Sequence, residues 1–344
     1  MVPPETLDSP LWPAHGPDPD SVRDWIHASL PGHPEVDGPI LVYRAHEWGL
    51  TARFVLNPDS APAAVVFKAS FLPPTFTASA PYRLLGHSCA GLVPELLAWT
   101  DEPGRRWMLF SAFDGSVMGS LEDPAVLPRI ARTMARIQAA AAQDGWLDGL
   151  PRVPVARITE MYEELASKVR KRYVAEWRAS ESDLLRELRM PGDAAERWET
   201  YRPRVREWTI ELEQGQWPLS IHHVDLHANN AVLKPDGEVL IYDWEEADIG
   251  FPFFSLDKLL LAAEDAEVGG SPAAAAAVRD AYLETLPWKT RKERERAFEL
   301  ALLLSPIRYA YADRLFARAF GWNAAEAVAT WVALALERWD EAPF

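Results

Sequence analysis

With 344 residues, 48% of them hydrophobic and 25% charged, the chain is long enough for one large domain or for two lobes that each bury a core. A formal net charge of -16 repels DNA and RNA and favours cationic small molecules, so no nucleic-acid partner is expected. The single cysteine, Cys89, excludes an internal disulfide framework and a thiolate zinc site.

Residues 1 to 20 carry Pro3, Pro4, Pro10, Pro13, Pro17 and Pro19, too many for a regular element. An extended arm is predicted there, before a short helix that begins near Ser21. Pro and Asp stand where a signal peptide would be basic and then apolar, and no apolar run reaches the roughly 18 residues of a membrane span. A cytoplasmic protein without membrane contact is therefore expected. The runs ILVYRA (40 to 45), ARFVLN (52 to 57) and AAVVFKA (63 to 69) are β-branched and aromatic, punctuated by Gly49 and by PDSAP, and predict a small antiparallel sheet. YRLLGHSC reads as a helix end, and VPELLAWT and RRWMLFSAF as two further strands.

After DGSVMGS the period becomes helical: PAVLPRIARTMARIQAAAAQ places apolar residues three and four apart. Helical patterns follow over 156 to 189, 194 to 215 and from 255 to the end, with KVRKRY as a solvated helix face. The predicted division is an arm and short helix over 1–37, a β-rich lobe over 38–113, and a large helical lobe over 114–344 that holds one strand pair. The fold class is α+β and bilobal, and a cleft is expected where such parts meet.

That strand pair lies in HHVDLHANNAVLKPDGEVLIYDWEEA, His222 to Ala247. PDG is turn chemistry, so Ala231 to Lys234 should pair with Glu238 to Tyr242. Folding the hairpin is expected to bring Asn230 opposite Asp243. An amide oxygen and a carboxylate with room for water suit Mg²⁺. Asp225, five residues before Asn230, can face the same space and accept a proton from a substrate hydroxyl. The rival is a metallohydrolase site built on His222, His223, Asp225 and His227, which needs further ligands from elsewhere. No histidine follows His227, and His15, His27, His33, His46 and His87 all lie in the other half of the chain.

HHVDLHANN followed by IYDWEEA resembles the H-G-D-L-H-x-x-N and I-D-W-E-x-A signatures of the aminoglycoside phosphotransferase and choline kinase-like family, which has a protein-kinase-like fold. The resemblance runs over about residues 38 to 260. It implies a catalytic role for Asp225, flanked by His223 and His227, and Mg²⁺ ligation by Asn230 and Asp243. It also implies an ATP-anchoring lysine on the third strand, where Lys68 stands as the only lysine before Lys168. Trp107 to Phe113 resembles the strand and linker that hold adenine, so Ser111 and Phe113 join the nucleotide candidates. Gly49 stands alone where protein kinases use a Gly-rich loop.

Three positions depart from the pattern. Val224 replaces the usual glycine of H-G-D, so its backbone must avoid positive φ. No acidic residue lies between Lys68 and Glu95, so the helix near Thr77 to Leu85 offers no glutamate to pair with the lysine. Ser255 stands where relatives often carry aspartate. Among the remaining residues, Trp244 is read as core and Glu245 as partly structural and partly site-lining. Asp248, Asp257, Glu264 and Asp265 either line an amine-binding pocket or only add charge. Tyr309, Tyr311 and Trp322 lie on the late helices that wall the acceptor pocket in relatives.

The resulting expectation is a small-molecule kinase that uses Mg²⁺ and ATP, with GTP left open, to phosphorylate a hydroxyl of an aminoglycoside, amino sugar or choline-like acceptor. The chain is expected to be a monomer or homodimer. A non-catalytic nucleotide- or metabolite-binding protein with a kinase-like body is the alternative.

Overall fold

The computed structural model describes residues 12–36, 38–57, 59–73, 76–120, 124–143, 149–180, 182–183, 188, 190, 192–265 and 269–342. The arm predicted over the first residues lies outside them as far as residue 11. The chain forms two compact units: unit 1 takes in 1–151, 223–248 and 258–286, and unit 2 takes in 152–222, 249–257 and 287–344. Unit 1 holds an antiparallel N-terminal sheet, and the described remainder of the chain is mainly helical.

In unit 1, strands β1 (Leu41–His46), β2 (Gly49–Val55), β3 (Ala64–Ser70), β4 (Leu96–Glu102) and β5 (Arg105–Ser111) form an antiparallel sheet in the order β1-β2-β3-β5-β4. Its period-2 alternation separates two chemistries. Leu50, Ala52 and Phe54 of β2 and Val65, Phe67 and Ala69 of β3 share one core with Val22, Ile26 and Leu30. Val22 and Ile26 are the buried stripe of α1 (Pro19–Ser29), which begins at Asp18, whose side chain accepts from Ser21 N–H. Val66 and Lys68 therefore face away from α1. The helix α2 (Ala80–Ser88) precedes β4.

The stretch DGSVMGS, after which the helical period begins, itself joins a sheet. It contains β6 (Ser116–Val117), which pairs with β9 (Ala231–Leu233), itself paired with β10 (Val239–Ile241). A two-residue strand carries too little periodicity to be seen in sequence. The helix α3 (Leu127–Gln143) buries Ile130, Met134 and Ile137 and packs on α9 (Pro272–Thr285), where the Tyr282 hydroxyl donates to Gln138 at 2.5 Å. The helix α8 (Asp257–Glu264) joins unit 1 from Lys258 onward.

Unit 2 contains α4 (Arg157–Lys168), a π-helical turn over Val169–Tyr173, α5 (Val174–Ala179), α6 (Ala194–Thr200), α7 (Arg202–Gln214), α10 (Arg291–Ala319) and α11 (Ala324–Glu341). The helical patterns predicted over 156–189 and 194–215 are thus each broken within their span. A three-stranded sheet invisible in the pattern is made by β7 (Arg152–Val153), β8 (Ser220–His222) and β11 (Asp248–Gly250), with β11 in the middle. The long α10 opens with a reciprocal capping box between Thr290 and Glu293. Among the described residues, no helix is long and apolar enough to cross a membrane.

Candidate active site

The hairpin folds around its PDG turn, where Gly237 takes the positive φ of 85° that the turn requires. Its register, Ile241 against Ala231, Leu240 against Val232 and Val239 against Leu233, corrects one expectation. Asn230 stands opposite Tyr242, whose N–H donates to Asn230 O at 2.9 Å, and Asp243 lies one residue beyond. A one-residue offset would ordinarily send a side chain to the other face. Asp243 instead adopts φ of 69°, the left-handed region, which turns its side chain out of that alternation. Val224, as expected, is not among the positive-φ residues.

Asp225 is gripped on both carboxylate oxygens. Oδ2 accepts from His227 Nε2 at 3.2 Å and from Asn230 Nδ2 at 3.2 Å, and Oδ1 lies 2.6 Å from Lys258 Nζ. His227 Nδ1 accepts from Asn229 N–H, so the ring proton sits on Nε2 and points at Asp225. Burial would raise the Asp225 pKa, but the His227 hydrogen bond and the Lys258 charge outweigh it and hold the carboxyl well below its ordinary range. Asn230 also donates to Asp225 O at 2.9 Å. Its amide nitrogen is thereby committed, and its buried Oδ1 has no hydrogen-bond partner.

The three clustered histidines do three different things, which disposes of the metallohydrolase alternative. His222, in unit 2, receives a hydrogen bond at Nδ1 from Arg308 at 2.8 Å. His223, in unit 1, donates from Nε2 to Tyr242 O at 2.9 Å and packs on the Trp244 ring, and burial lowers its pKa. His227 orients Asp225. Among the described residues, no group of three or more His, Cys, Asp and Glu could hold a metal ion.

Lys68 has two acidic partners, neither of them on α2. Its Nζ lies 2.5 Å from Asp243 Oδ1 and 2.5 Å from Glu245 Oε2. Burial alone would lower its pKa; the charges of Asp243 and Glu245 reverse the sign and raise it. Burial likewise pushes Asp243 up, and Lys68 brings it down below the usual value. The helix α2 contributes Tyr82 instead of a glutamate. Its hydroxyl oxygen accepts from Asp243 N–H at 3.1 Å and Trp244 N–H at 3.2 Å, supporting the left-handed turn. Thr77 ties the same segment down, donating from both N–H and Oγ1 to Glu245 O at 2.9 Å.

A cavity of about 220 Å³ in unit 1 is lined by Lys68 and Asp243 and by Val66, Phe110, Phe113 and Tyr242. It offers apolar and aromatic walls together with a charged pair. Phe113 thus meets Lys68 there and also lines, with Ser111, a second cavity of about 900 Å³, whereas Gly49, at the start of β2, lines neither. The acidic candidates scatter. Asp257, in unit 2, is buried against Arg338 at 2.5 Å and Ser305 at 2.5 Å, while Glu264 and Asp265 are exposed and Asp248 is buried. Ser255 is fully buried in unit 2. Also in unit 2, Tyr309 is locked by a hydrogen bond to Phe254 O and a stack on Trp331, Tyr311 lies between Arg157 and Arg314, and Trp322 is exposed beside Phe316 and Phe320.

Sequence reasoning missed Lys258 and Tyr82. The signal for Lys258 was present: it is the one lysine in the apolar run FPFFSLDKLLLAA. Tyr82 gave none.

Two groups of residues result: Lys68 with Asp243 and Glu245 beside the 220 Å³ cavity, and Asp225 with His227, Asn230 and Lys258, whose carboxylate charge is felt at Asp243. They carry what phosphoryl transfer requires: positioning, charge neutralisation and an acceptor for a hydroxyl. Comparison with known proteins agrees. The family described as the phosphotransferase enzyme family matches residues 81–298. No curated protein matches the sequence. Among solved structures, choline kinase from Cryptosporidium parvum Iowa II superposes with a TM-score of 0.61 at 13% identity, covering 94% of this chain and 96% of the other. A choline/ethanolamine kinase family protein from Mesorhizobium loti gives 0.58 at 14% identity, covering 94% and 95%. A macrolide 2'-phosphotransferase from Brachybacterium faecium gives 0.55 at 18% identity, covering 92% and 97%. At such identities the likeness is one of fold.

Proposed function

The chain belongs to the phosphotransferase enzyme family; from that premise we propose that it is a small-molecule phosphotransferase that moves the γ-phosphoryl group of ATP to a hydroxyl of a small acceptor in a Mg²⁺-dependent reaction. The observation that carries the metal requirement is the buried, partnerless Asn230 Oδ1, whose amide nitrogen is already spent on Asp225. A hard divalent cation is the partner such an oxygen suits. Asn230 and Asp243 would hold it. Bound there, it supplies positive charge against the phosphate oxygens.

Lys68, held by Glu245, would steady the nucleotide phosphates, leaving Asp243 as a ligand for the cation. Asp225 receives the acceptor hydroxyl. Because its carboxyl is held well below the ordinary range, it is a weak base at rest and acts first as an orienting acceptor. It takes the proton late, as the new bond forms, which suits a loose phosphoryl-transfer transition state. The acidic surface, at a net charge of -16, favours an amine-bearing acceptor such as an aminoglycoside, amino sugar or choline-like molecule.

The test is a screen of ATP consumption over hydroxylated amines and sugars, run beside thermal shift with and without Mg·ATP. Asp225→Asn should keep nucleotide binding and lose about 10²- to 10⁴-fold in turnover. Undiminished turnover would overturn the assignment. A thermal shift without turnover on any acceptor would leave a nucleotide-binding protein.

A further inference from the structure

We propose that Lys258 is a catalytic cation of this site, contacting the transferred phosphoryl group from the acceptor side, opposite Lys68. The inference rests on the phosphotransferase reading. It starts from an asymmetry at Asp225. Oδ2 is occupied by His227 and Asn230, so Oδ1 is the oxygen left for a substrate hydroxyl, and Oδ1 is where Lys258 Nζ sits at 2.6 Å.

Two atoms that each hydrogen-bond the same oxygen lie within about 6 Å of one another. A hydroxyl seated on Oδ1 therefore brings its oxygen, and the phosphorus it attacks, into the reach of the Lys258 ammonium. The ammonium has three donors on a flexible stem, so it can keep its bond to Asp225 and add one to a phosphoryl oxygen.

Exposure separates this pair from a structural one. Lys258 and Asp225 are 26% and 31% exposed, open enough for a substrate to approach, whereas the neighbouring Arg338–Asp257 pair is 17% and 1% exposed. The helix beneath Lys258 is nonetheless anchored, because the next residues of α8, Leu259 and Leu260, and Ala263 a turn later, are buried. Lys68 is engaged by Asp243 and Glu245 and faces the cavity lined by Phe110 and Phe113. The two lysines thus engage different carboxylates.

In the step itself the acceptor oxygen forms a bond to phosphorus as the bond from phosphorus to the bridging oxygen breaks. The nucleoside diphosphate leaves with that bonding pair, and the hydroxyl proton passes to Asp225 Oδ1. Lys258 donates throughout to an oxygen of the moving phosphoryl group and is itself neither protonated nor deprotonated.

The experiment measures affinity for Mg·ADP alone and for Mg·ADP with aluminium fluoride, a mimic of the phosphoryl group in flight, in the wild type, Lys258→Met and Lys258→Gln. The expected result is Mg·ADP affinity within about 2-fold of wild type and a loss of about 10- to 100-fold in the extra affinity conferred by fluoride, the scale of one charge-assisted hydrogen bond. Lys258→Arg should recover part of it. A merely structural lysine would lower thermal stability and Mg·ADP affinity together, and that outcome overturns the proposal. So does a fluoride enhancement that is absent from the wild type or intact in both neutral variants. Failure of the wild type to bind Mg·ADP at all would instead overturn the reading beneath it.

Discussion

Replacing Glu245 with glutamine tests whether this residue does the work that a helix glutamate would otherwise do for Lys68. The two side chains are 6% and 13% exposed and their charged atoms lie 2.5 Å apart. Glutamine keeps the shape and an acceptor oxygen but removes the charge. A hydrogen bond between charged groups is worth about 1.5–3 kcal/mol and a neutral one about 0.5–1.5, so the substitution costs about 1–2 kcal/mol. With Asp243 still beside Lys68, the cost stays below the 3–5 kcal/mol of a fully broken buried pair. Affinity for a Mg·ATP analogue, read by titration calorimetry, should fall about 5- to 30-fold, since 1.36 kcal/mol is a factor of ten. The melting temperature should drop by about 2–8 °C, at about 2–4 °C per kcal/mol for a body of this size. Lys68→Met completes a double-mutant cycle: with the lysine gone, Glu245→Gln should cost nothing further. If it costs the same in both backgrounds, within about 0.5 kcal/mol, the two residues are uncoupled and Glu245 does not hold Lys68.

Tyr82→Phe removes the acceptor of two backbone N–H groups at the left-handed turn, those of Asp243 and Trp244. At about 1–3 kcal/mol for each buried donor left unpaired, urea unfolding should show a loss of about 2–6 kcal/mol; unchanged stability would mean that the hydroxyl does not support the turn. His223 gives a pH signature. Burial lowers its folded pKa, so below its unfolded value near 6.5 the unfolded chain binds a proton that the folded chain refuses. Stability is then greatest above that pH and declines as pH falls toward the folded value. His223→Gln, which keeps a donor for Tyr242 O, should flatten the melting-temperature profile below about pH 6.5; an unchanged slope would remove His223 as its source.

Much of the site could be read in one dimension because it is built from near neighbours. Turn residues at 235 to 237 dictate the hairpin, the alternation along β3 puts Lys68 on the face away from α1, and the six residues from Asp225 to Asn230 close on themselves through two hydrogen bonds. Local patterning reaches that far because strand period and turn chemistry act over a few residues.

It did not reach the pairing of Lys68 with acids 175 and 177 positions away, the arrival of Lys258 at a carboxylate 33 positions upstream, or the support that Tyr82 gives to Asp243. Those contacts depend on where the packed chain returns, and no periodicity encodes that. The register is the sharpest instance. Turn chemistry alone sets Asn230 and Asp243 face to face, but the ladder seats Tyr242 opposite Asn230, and only a backbone rotation to φ of 69°, held by a tyrosine from another helix, redirects the aspartate. A strained dihedral needs surrounding structure to impose it, so the tertiary fold alone could decide it.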